Sequence, residues 1–440
     1  MAKVTLVAAW LKSGEKARLP LGVLYLAGEL LRRGHDVEIR DCQLEPYEAS
    51  VVDLIIHTLQ SSTGIIGISC MSDLLPAVLL AVTEYKKQSP KSVIVLGGPG
   101  PTSVAWDILL HFPAVDYVVM GEGEVTLSEL VSELEKGGDI ENIDGLCYRA
   151  DGKIHCGRQR NRIKDLDSLH PLPYSEVKMH LYSRTVPIST SRGCTYGCSF
   201  CDVSAIWQRK LTKRSIENVI AELSALSKAG VTRVSIVDDT FVLNRRRVRE
   251  FCRKLREIQL PINWHCNGRI NLVDAPLLET MASAGCSSMF FGVESGSDAV
   301  LRRIRKGFST AQILDSIKLA TKYIPLVTVS FIWGFPFETL SDFQETRNLY
   351  LSLAMIENVR IQVYELTPFI STPIYQEFSS QLYLDLEHAS DLNGRRSISK
   401  DEMALIKRYP QMFPNFYKFH TPHRAEKLEA ISADRSLFER

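Results

Sequence analysis

Between Val4 and Leu366 the chain alternates short apolar runs with longer amphipathic stretches, and that rhythm leaves few folds open. Strands separated by helices lie parallel, and a parallel sheet must be covered on both faces. In residues 1–135 the strands read as Val4–Ala9, Val37–Arg40, Ile65–Ser69, Ser92–Leu96 and Tyr117–Met120. Helices read at Leu21–Arg33, Pro76–Gln88 and Thr126–Glu135. This block predicts an α/β domain, a doubly wound parallel sheet of Rossmann-like type. Over 136–180 the pattern loosens around Gly137-Gly138, Asp151-Gly152 and Pro171-Leu172-Pro173, a connector with a hairpin near Leu146–Ile154. From 181 to 385 alternation resumes, with strands Val186–Thr190, Arg233–Val237, Ile262–Cys266, Ser288–Val293, Leu326–Ile332 and Arg360–Leu366. These units predict a partial (β/α)6 barrel of TIM type rather than a closed eight-fold one. Residues 386–440 form a polar C-terminal extension with helical pieces.

A chain of 440 residues suits two domains. Its net charge of +1 gives no electrostatic reason to expect nucleic acid. Arg245-Arg246-Arg247 and the run Arg302–Lys306 read as solvated helix faces. The apolar N-terminus stops at Lys12 without a small-residue cleavage site, so it reads as a buried strand rather than a signal peptide. No apolar stretch reaches the roughly 18–20 residues that span a bilayer, so no membrane is expected and a cytoplasmic location is expected. In that reducing compartment the ten cysteines should not pair. Cys42, Cys70, Cys147, Cys156, Cys252, Cys266 and Cys286 read as small buried hydrophobes.

Cys194, Cys198 and Cys201 are different. They stand in Ser191-Arg-Gly-Cys-Thr-Tyr-Gly-Cys-Ser-Phe-Cys-Asp202, directly after the first barrel strand, where barrels carry their active-site loops. Thiolates are soft ligands suited to iron–sulfur clusters. Three of them leave one iron of a four-iron cubane open to a chelating ligand. Zinc is the competing metal, but it wants a fourth cysteine or histidine nearby, and the next thirty or so residues hold neither.

Cys-x3-Cys-x2-Cys with Phe200 before the last cysteine resembles the signature of the radical S-adenosylmethionine (SAM) superfamily. The resemblance extends over roughly 185–370, through Val237-Asp238-Asp239, Phe291-Gly-Val-Glu294-Ser295-Gly296, Gly334-Phe-Pro336-Phe337-Glu338-Thr339 and Thr367-Pro368. It implies that the cysteines hold a 4Fe–4S cluster whose open iron binds SAM. It also implies that Asp238 and Asp239 lie near the SAM amino group, Glu294 and Ser295 near its ribose, and Phe200 beside the cofactor. Asp238 or Asp239 could instead cap the following helix, and Gly334-Phe-Pro336 could be only a turn. Phe337 stands where the family usually has a second glycine, so it either narrows the barrel mouth or alters the loop's φ.

The first block is similar to the cobalamin-binding domain fused to many radical SAM enzymes, through Leu19-Pro20-Leu-Gly22, Gly64-Ile-Ile-Gly67, Gly97-Gly98 and Gly121-Glu122-Gly123-Glu124. The resemblance implies cobalamin at the strand ends Ser69, Gly97, Gly98, Gly121 and Glu122. The Asp-x-His-x-x-Gly loop that supplies a lower axial histidine is absent, and His35 reads as structural. A corrin here would be unligated below, water-bound, or covered by Ser69-Cys70-Met71-Ser72. A domain that keeps the fold without cobalamin is the alternative.

The reading is therefore a cobalamin-dependent radical SAM enzyme taking a small organic substrate and electrons from a flavodoxin or ferredoxin. A 5′-deoxyadenosyl radical would remove a hydrogen, and methylcobalamin would supply a methyl group. Cyclisation or rearrangement on the same domains is the alternative chemistry; a non-catalytic metal- or corrinoid-carrying protein is the alternative class. A methylthiotransferase is disfavoured, because the first block has no second three-cysteine set. Trp264, His265, Asn267, Arg269, Trp333 and Tyr364 read as barrel residues that either meet substrate or simply pack.

Overall fold

The first apolar run becomes strand β1 (Lys3–Ala9), buried at every position after Lys3. The computed structural model describes residues 1–12, 16–46, 50–62, 64–385 and 397–437. It divides the chain into two units, one of Met1–Ser183 with Leu386–Phe416 and one of Arg184–Asp385 with Tyr417–Arg440.

In the first unit α1 (Leu21–Arg32), β2 (Asp36–Asp41), α2 (Val51–Leu59), β3 (Ile65–Cys70), α3 (Leu75–Gln88) and β4 (Val93–Gly97) follow in order. The short helices α4 (Pro99–Thr102) and α5 (Ala105–His111) lead to β5 (Tyr117–Val119) and α6 (Gly123–Lys136). The hairpin is β6 (Leu146–Ala150) and β7 (Lys153–Cys156). The sheet order is β2-β1-β3-β4-β5-β6-β7. Pairing is parallel through β5 and antiparallel for the last two strands. The hairpin at 146–156 thus adds two strands to the first sheet rather than hanging in a connector. Alternation explains the packing: Val4, Leu6 and Ala8 of β1 share one buried cluster with Val23, Ala27 and Leu30 of α1 and Leu127, Leu130 and Val131 of α6. Helix α2, capped by the Ser50 side chain on the Asp53 N–H, was not read from its densely apolar sequence.

One expectation fails here. Cys147 and Cys156 are joined in a disulfide. The turn at Asp151-Gly152 sets a register that opposes Ala150 to Lys153 and therefore Cys147 to Cys156. Compartment reasoning alone missed what hairpin register would have shown. The remaining scattered cysteines are free and buried, as small hydrophobes should be.

In the second unit β8 (Thr185–Ile188) leads into a short antiparallel pair, β9 (Ser191–Arg192) with β10 (Thr212–Lys213), around the cysteine loop and α7 (Val203–Ile206). Then come α8 (Ile216–Lys228), β11 (Arg233–Ile236), α9 (Arg245–Glu257), β12 (Asn263–Gly268), α10 (Ala275–Ser283) and β13 (Cys286–Glu294). Helices α11 (Asp298–Arg303) and α12 (Ile313–Thr321) precede β14 (Leu326–Trp333), α13 (Leu340–Ala354), β15 (Val359–Glu365) and α14 (Pro373–Phe378). The six strands pair in parallel, in the order β15-β14-β13-β12-β11-β8. This is the open six-stranded barrel sheet that the alternation implies.

The C-terminal extension is divided between the two units, and its residues 386–396 and 438–440 lie outside the described residues. In the second unit β16 (Leu382–Leu384) pairs antiparallel with the later strand Tyr417–Phe419. Helix α15 (Lys400–Arg408) belongs to the first unit, where the following Tyr409 packs on His111 and Phe112. Strand β17 (Tyr417–Phe419) and helix α16 (Arg424–Asp434) return to the second. There Lys427 is fully buried against Glu338, with Nζ 2.9 Å from Oε2 and donating also to the Glu338 carbonyl and Thr421. Glu338 accepts the Gly334 N–H in turn, so α16 pins the whole 334–338 loop. Among the described residues, no helix is long and apolar enough to cross a membrane. Lys427→Met would leave the Glu338 carboxylate buried without its cation, and should destabilise the fold by about 3–5 kcal/mol. Denaturant unfolding, compared with a Glu338→Gln/Lys427→Met double variant that loses markedly less, checks this.

Candidate active site

The strand ends of the second unit bring the cysteine loop together with the acids after β11. Asp238 is almost fully buried. Its carboxylate accepts the Thr190 N–H at 2.7 Å, the Thr190 hydroxyl at 2.6 Å and the Ser191 hydroxyl at 2.6 Å. Burial pushes its pKa up, and these hydrogen bonds oppose that shift. Asp239 accepts the Gly193 N–H at 2.8 Å. Gly193 has φ +100, which places the residue before Cys194 in a conformation that a side chain rarely adopts. Thr240 completes the hold, with its hydroxyl 3.5 Å from Cys194 Sγ. Neither acid caps a helix; Asn244 caps α9. Arg247 also reaches this segment, donating to the Thr190 carbonyl, so it is not simply a solvated face.

The three thiols ride on the loop so anchored. Cys198 is buried; Cys194 and Cys201 are partly exposed. Burial pushes the Cys201 thiol up to about 12. A bound metal cation reverses that balance and holds the sulfur as thiolate. This donor chemistry fits an iron–sulfur cluster. Among the described residues, no three His, Cys, Asp or Glu side chains are gathered tightly enough to hold a single metal ion. Phe200 packs edge-on against Phe335.

Two cations that the sequence reading undervalued lie beside the loop. Lys306, read there as part of a solvated helix face, is 5% exposed and paired with Glu294 at 2.7 Å. A long chain ending a basic run gave no sign that it folds inward; the following Gly307 at φ +77 makes that turn. Arg269 is equally buried, with Cζ 3.7 Å from the centroid of the Tyr196 ring and Nη1 3.7 Å from Cys198 Sγ. Glu294 itself has φ +77 at a register shift between β13 and β14. A carboxylate residue in left-handed backbone is strained, and such strain gathers at functional sites. Ser295 is fully buried, with its hydroxyl 3.0 Å from that of Thr346 and accepting the Ser297 N–H.

Strand alternation sorts the other barrel residues. Trp264 and Trp333 pack outward, Trp264 against Phe251 of α9 and Trp333 against Phe343 of α13. His265 and Asn267 take the opposite face of β12, His265 on Ser288 and Asn267 donating to the Asp238 carbonyl. Phe337 has no positive φ; its ring stacks on Phe335, beneath the Arg303 guanidinium.

In the first unit Ser69, Gly97, Gly98 and Gly121 stand at neighbouring strand ends. Gly98, at φ +93, lets this turn lie against β3, since a Cβ there would come 3.0 Å from Ser69 Oγ and the Cys70 carbonyl. A Cβ at Gly121 would meet nothing within 4 Å, so that strand end is open to a wide ligand. Such an edge fits the rim of a corrin. Glu122 is not open in this way: its carboxylate accepts the Ile163 N–H at 2.9 Å, 3.8 Å from Arg162. His35 is buried 3.5 Å from Glu135, consistent with a structural role.

An anchored three-thiol loop on a parallel barrel, in one chain with a glycine-edged doubly wound sheet, marks a two-cofactor enzyme. The models of the Radical SAM superfamily and the B12 binding domain match residues 188–350 and 17–131. The chain is 34% identical over 333 residues to an uncharacterized methyltransferase, PH0819, of Pyrococcus horikoshii, covering 74% of this chain and 72% of that protein. It is 28% identical to an anaerobic magnesium-protoporphyrin IX monomethyl ester cyclase of Synechocystis sp., over 75% of this chain and 66% of the cyclase. The fold matches that of the radical SAM methyltransferase TsrM of Kitasatospora setae, at TM-score 0.79 and 18% identity, over 99% of this chain and 89% of that one. The chain belongs to the radical SAM enzymes that carry a B12-binding domain.

Removing the carboxylate that anchors the loop should be felt directly. Asp238→Ala strands the buried Thr190 N–H and should cost about 1–3 kcal/mol, read by denaturant unfolding. Asp239→Asn, which keeps an acceptor for Gly193, should cost less.

Proposed function

We propose that the protein is a cobalamin-dependent radical SAM C-methyltransferase acting on a small organic molecule. The observation that carries the reading is the pairing, in one chain, of a B12-binding domain with an anchored three-cysteine loop at the mouth of a parallel barrel. Cys194, Cys198 and Cys201 would hold the cluster. Glu294, strained and buried beside Lys306, and the segment around Asp238–Asp239 would orient SAM. Ser69, Gly97, Gly98 and Gly121 would border the corrin. When bound, the cluster with SAM supplies a hydrogen-abstracting radical and cobalamin carries a methyl group. The chain's own part is to fix the cysteine loop through the hydrogen bonds from Thr190, Ser191 and Gly193 to the two acids. Electrons would come from a flavodoxin or ferredoxin in the cytoplasm. No nucleic acid takes part in this reading.

Anaerobic reconstitution should give about four irons per chain with broad absorbance near ~400 nm. Cys194→Ala, Cys198→Ala or Cys201→Ala should abolish it, while Cys252→Ala and Cys286→Ala should not. Stoichiometric zinc on the three cysteines, with no iron, would overturn the cluster.

SAM carrying a trideuterated methyl separates methylation from cyclisation, the activity of the Synechocystis relative. A methyltransferase should transfer all three deuteriums to product and form S-adenosylhomocysteine alongside 5′-deoxyadenosine. Unlabelled product formed in step with 5′-deoxyadenosine would make the enzyme a cyclase or rearrangement enzyme instead.

A further inference from the structure

Arg269 follows the last residue of β12 and is 5% exposed. Its guanidinium has three kinds of neighbour. The ring of Tyr196, inside the cysteine loop, lies under it with the centroid 3.7 Å from Cζ. Nη2 donates to the Lys306 carbonyl, and Nη1 is directed at Cys198 Sγ, 3.7 Å away. Nε is buried with no hydrogen-bond partner. Among the described residues no carboxylate forms an ion pair with it, whereas the neighbouring buried cation, Lys306, is matched by Glu294. A buried cation without a counter-anion is strongly disfavoured. The group that Arg269 touches and that can carry the missing negative charge is the Cys198 sulfur.

We propose that Arg269 is a tuning residue for the cluster, binding the Cys198 thiolate by a charge-assisted hydrogen bond and raising the cluster's reduction potential. The proposal rests on the reading that Cys194, Cys198 and Cys201 hold that cluster. Reduction adds one electron from an external low-potential donor and makes or breaks no bond. The only change is one more negative charge on the cluster and its sulfurs. A fixed cation beside one of those sulfurs favours the reduced form, and hydrogen bonds to cluster sulfurs are an established lever on the potential. Stacking on Tyr196 keeps the planar head in place, a role the lysine ammonium cannot copy.

The test is a dithionite titration of the reconstituted full-length protein without SAM, followed by the electron paramagnetic resonance of the reduced cluster. Arg269→Gln keeps an amide donor and loses the charge. Its midpoint should fall so that the reduced-to-oxidised ratio at a given potential drops at least tenfold, about 59 mV for a one-electron couple. Arg269→Lys, charged but unstacked, should fall between the two. An unchanged midpoint in Arg269→Gln with iron content intact overturns the proposal. If that variant sheds iron, Tyr196→Leu takes its place; it should shift the midpoint in the same direction by less, and no shift there overturns the proposal equally. A wild-type chain that binds no iron overturns the underlying cluster reading instead, and iron analysis alone recognises it.

Discussion

Two adjacent carboxylates after β11 hold the loop on which everything chemical in the second unit depends. Asp238 takes up the backbone and hydroxyl of Thr190 and the hydroxyl of Ser191, and Asp239 takes up the backbone of Gly193. A loop whose three thiols must reach one cofactor cannot be left to its own preferences, because each free dihedral spreads the sulfurs apart. A buried acceptor that satisfies several donors at once removes that freedom, and loss of the acceptor leaves donors unpaired in low dielectric.

Buried charge recurs at the other strand ends, each time with a partner. Glu294 is matched by Lys306, and Glu338 by Lys427. At the end of β15, Glu365 meets both Lys418 and Arg424. Several of these cations come from the C-terminal segment, so that segment closes the electrostatic balance of the barrel's last strands. Pairs of this kind add little net stability compared with apolar packing, but breaking one is costly. They tie the loops at these strand ends to partners distant in sequence. Arg269 stands outside the pattern, as the buried cation whose counter-charge is a sulfur.

Fold and cluster motif were legible because they are local. Period-two and helical patterns marked all six barrel strands and most of the first sheet to within a residue or two. They missed α2, α12 and the short helices α4, α5, α7 and α14, where crowded apolar sequence, shortness or the lack of a clear cap hides the period. Cysteine spacing marked the metal loop. Individual roles were far less legible. The Asp238-Asp239 pair could be noticed as strand-end acids, but nothing in the pair says that it grips residues nearly fifty positions earlier. Lys306 read as solvated because its neighbours in sequence are charged. The Cys147–Cys156 pairing was within reach, since it follows from the hairpin register, yet the compartment argument pointed the other way.

The sequence by itself determined what depends on residue type and short-range order: two α/β units, the trio of thiols with its chemistry, and the glycines that free strand ends for ligands. Tertiary structure alone decided which charges are buried and what each one meets. Whether a lysine or a carboxylate is solvated, paired or strained depends on strands brought together from distant parts of the chain. Electrostatic free energy depends on that burial and on distance through space, and neither is written in the order of residues.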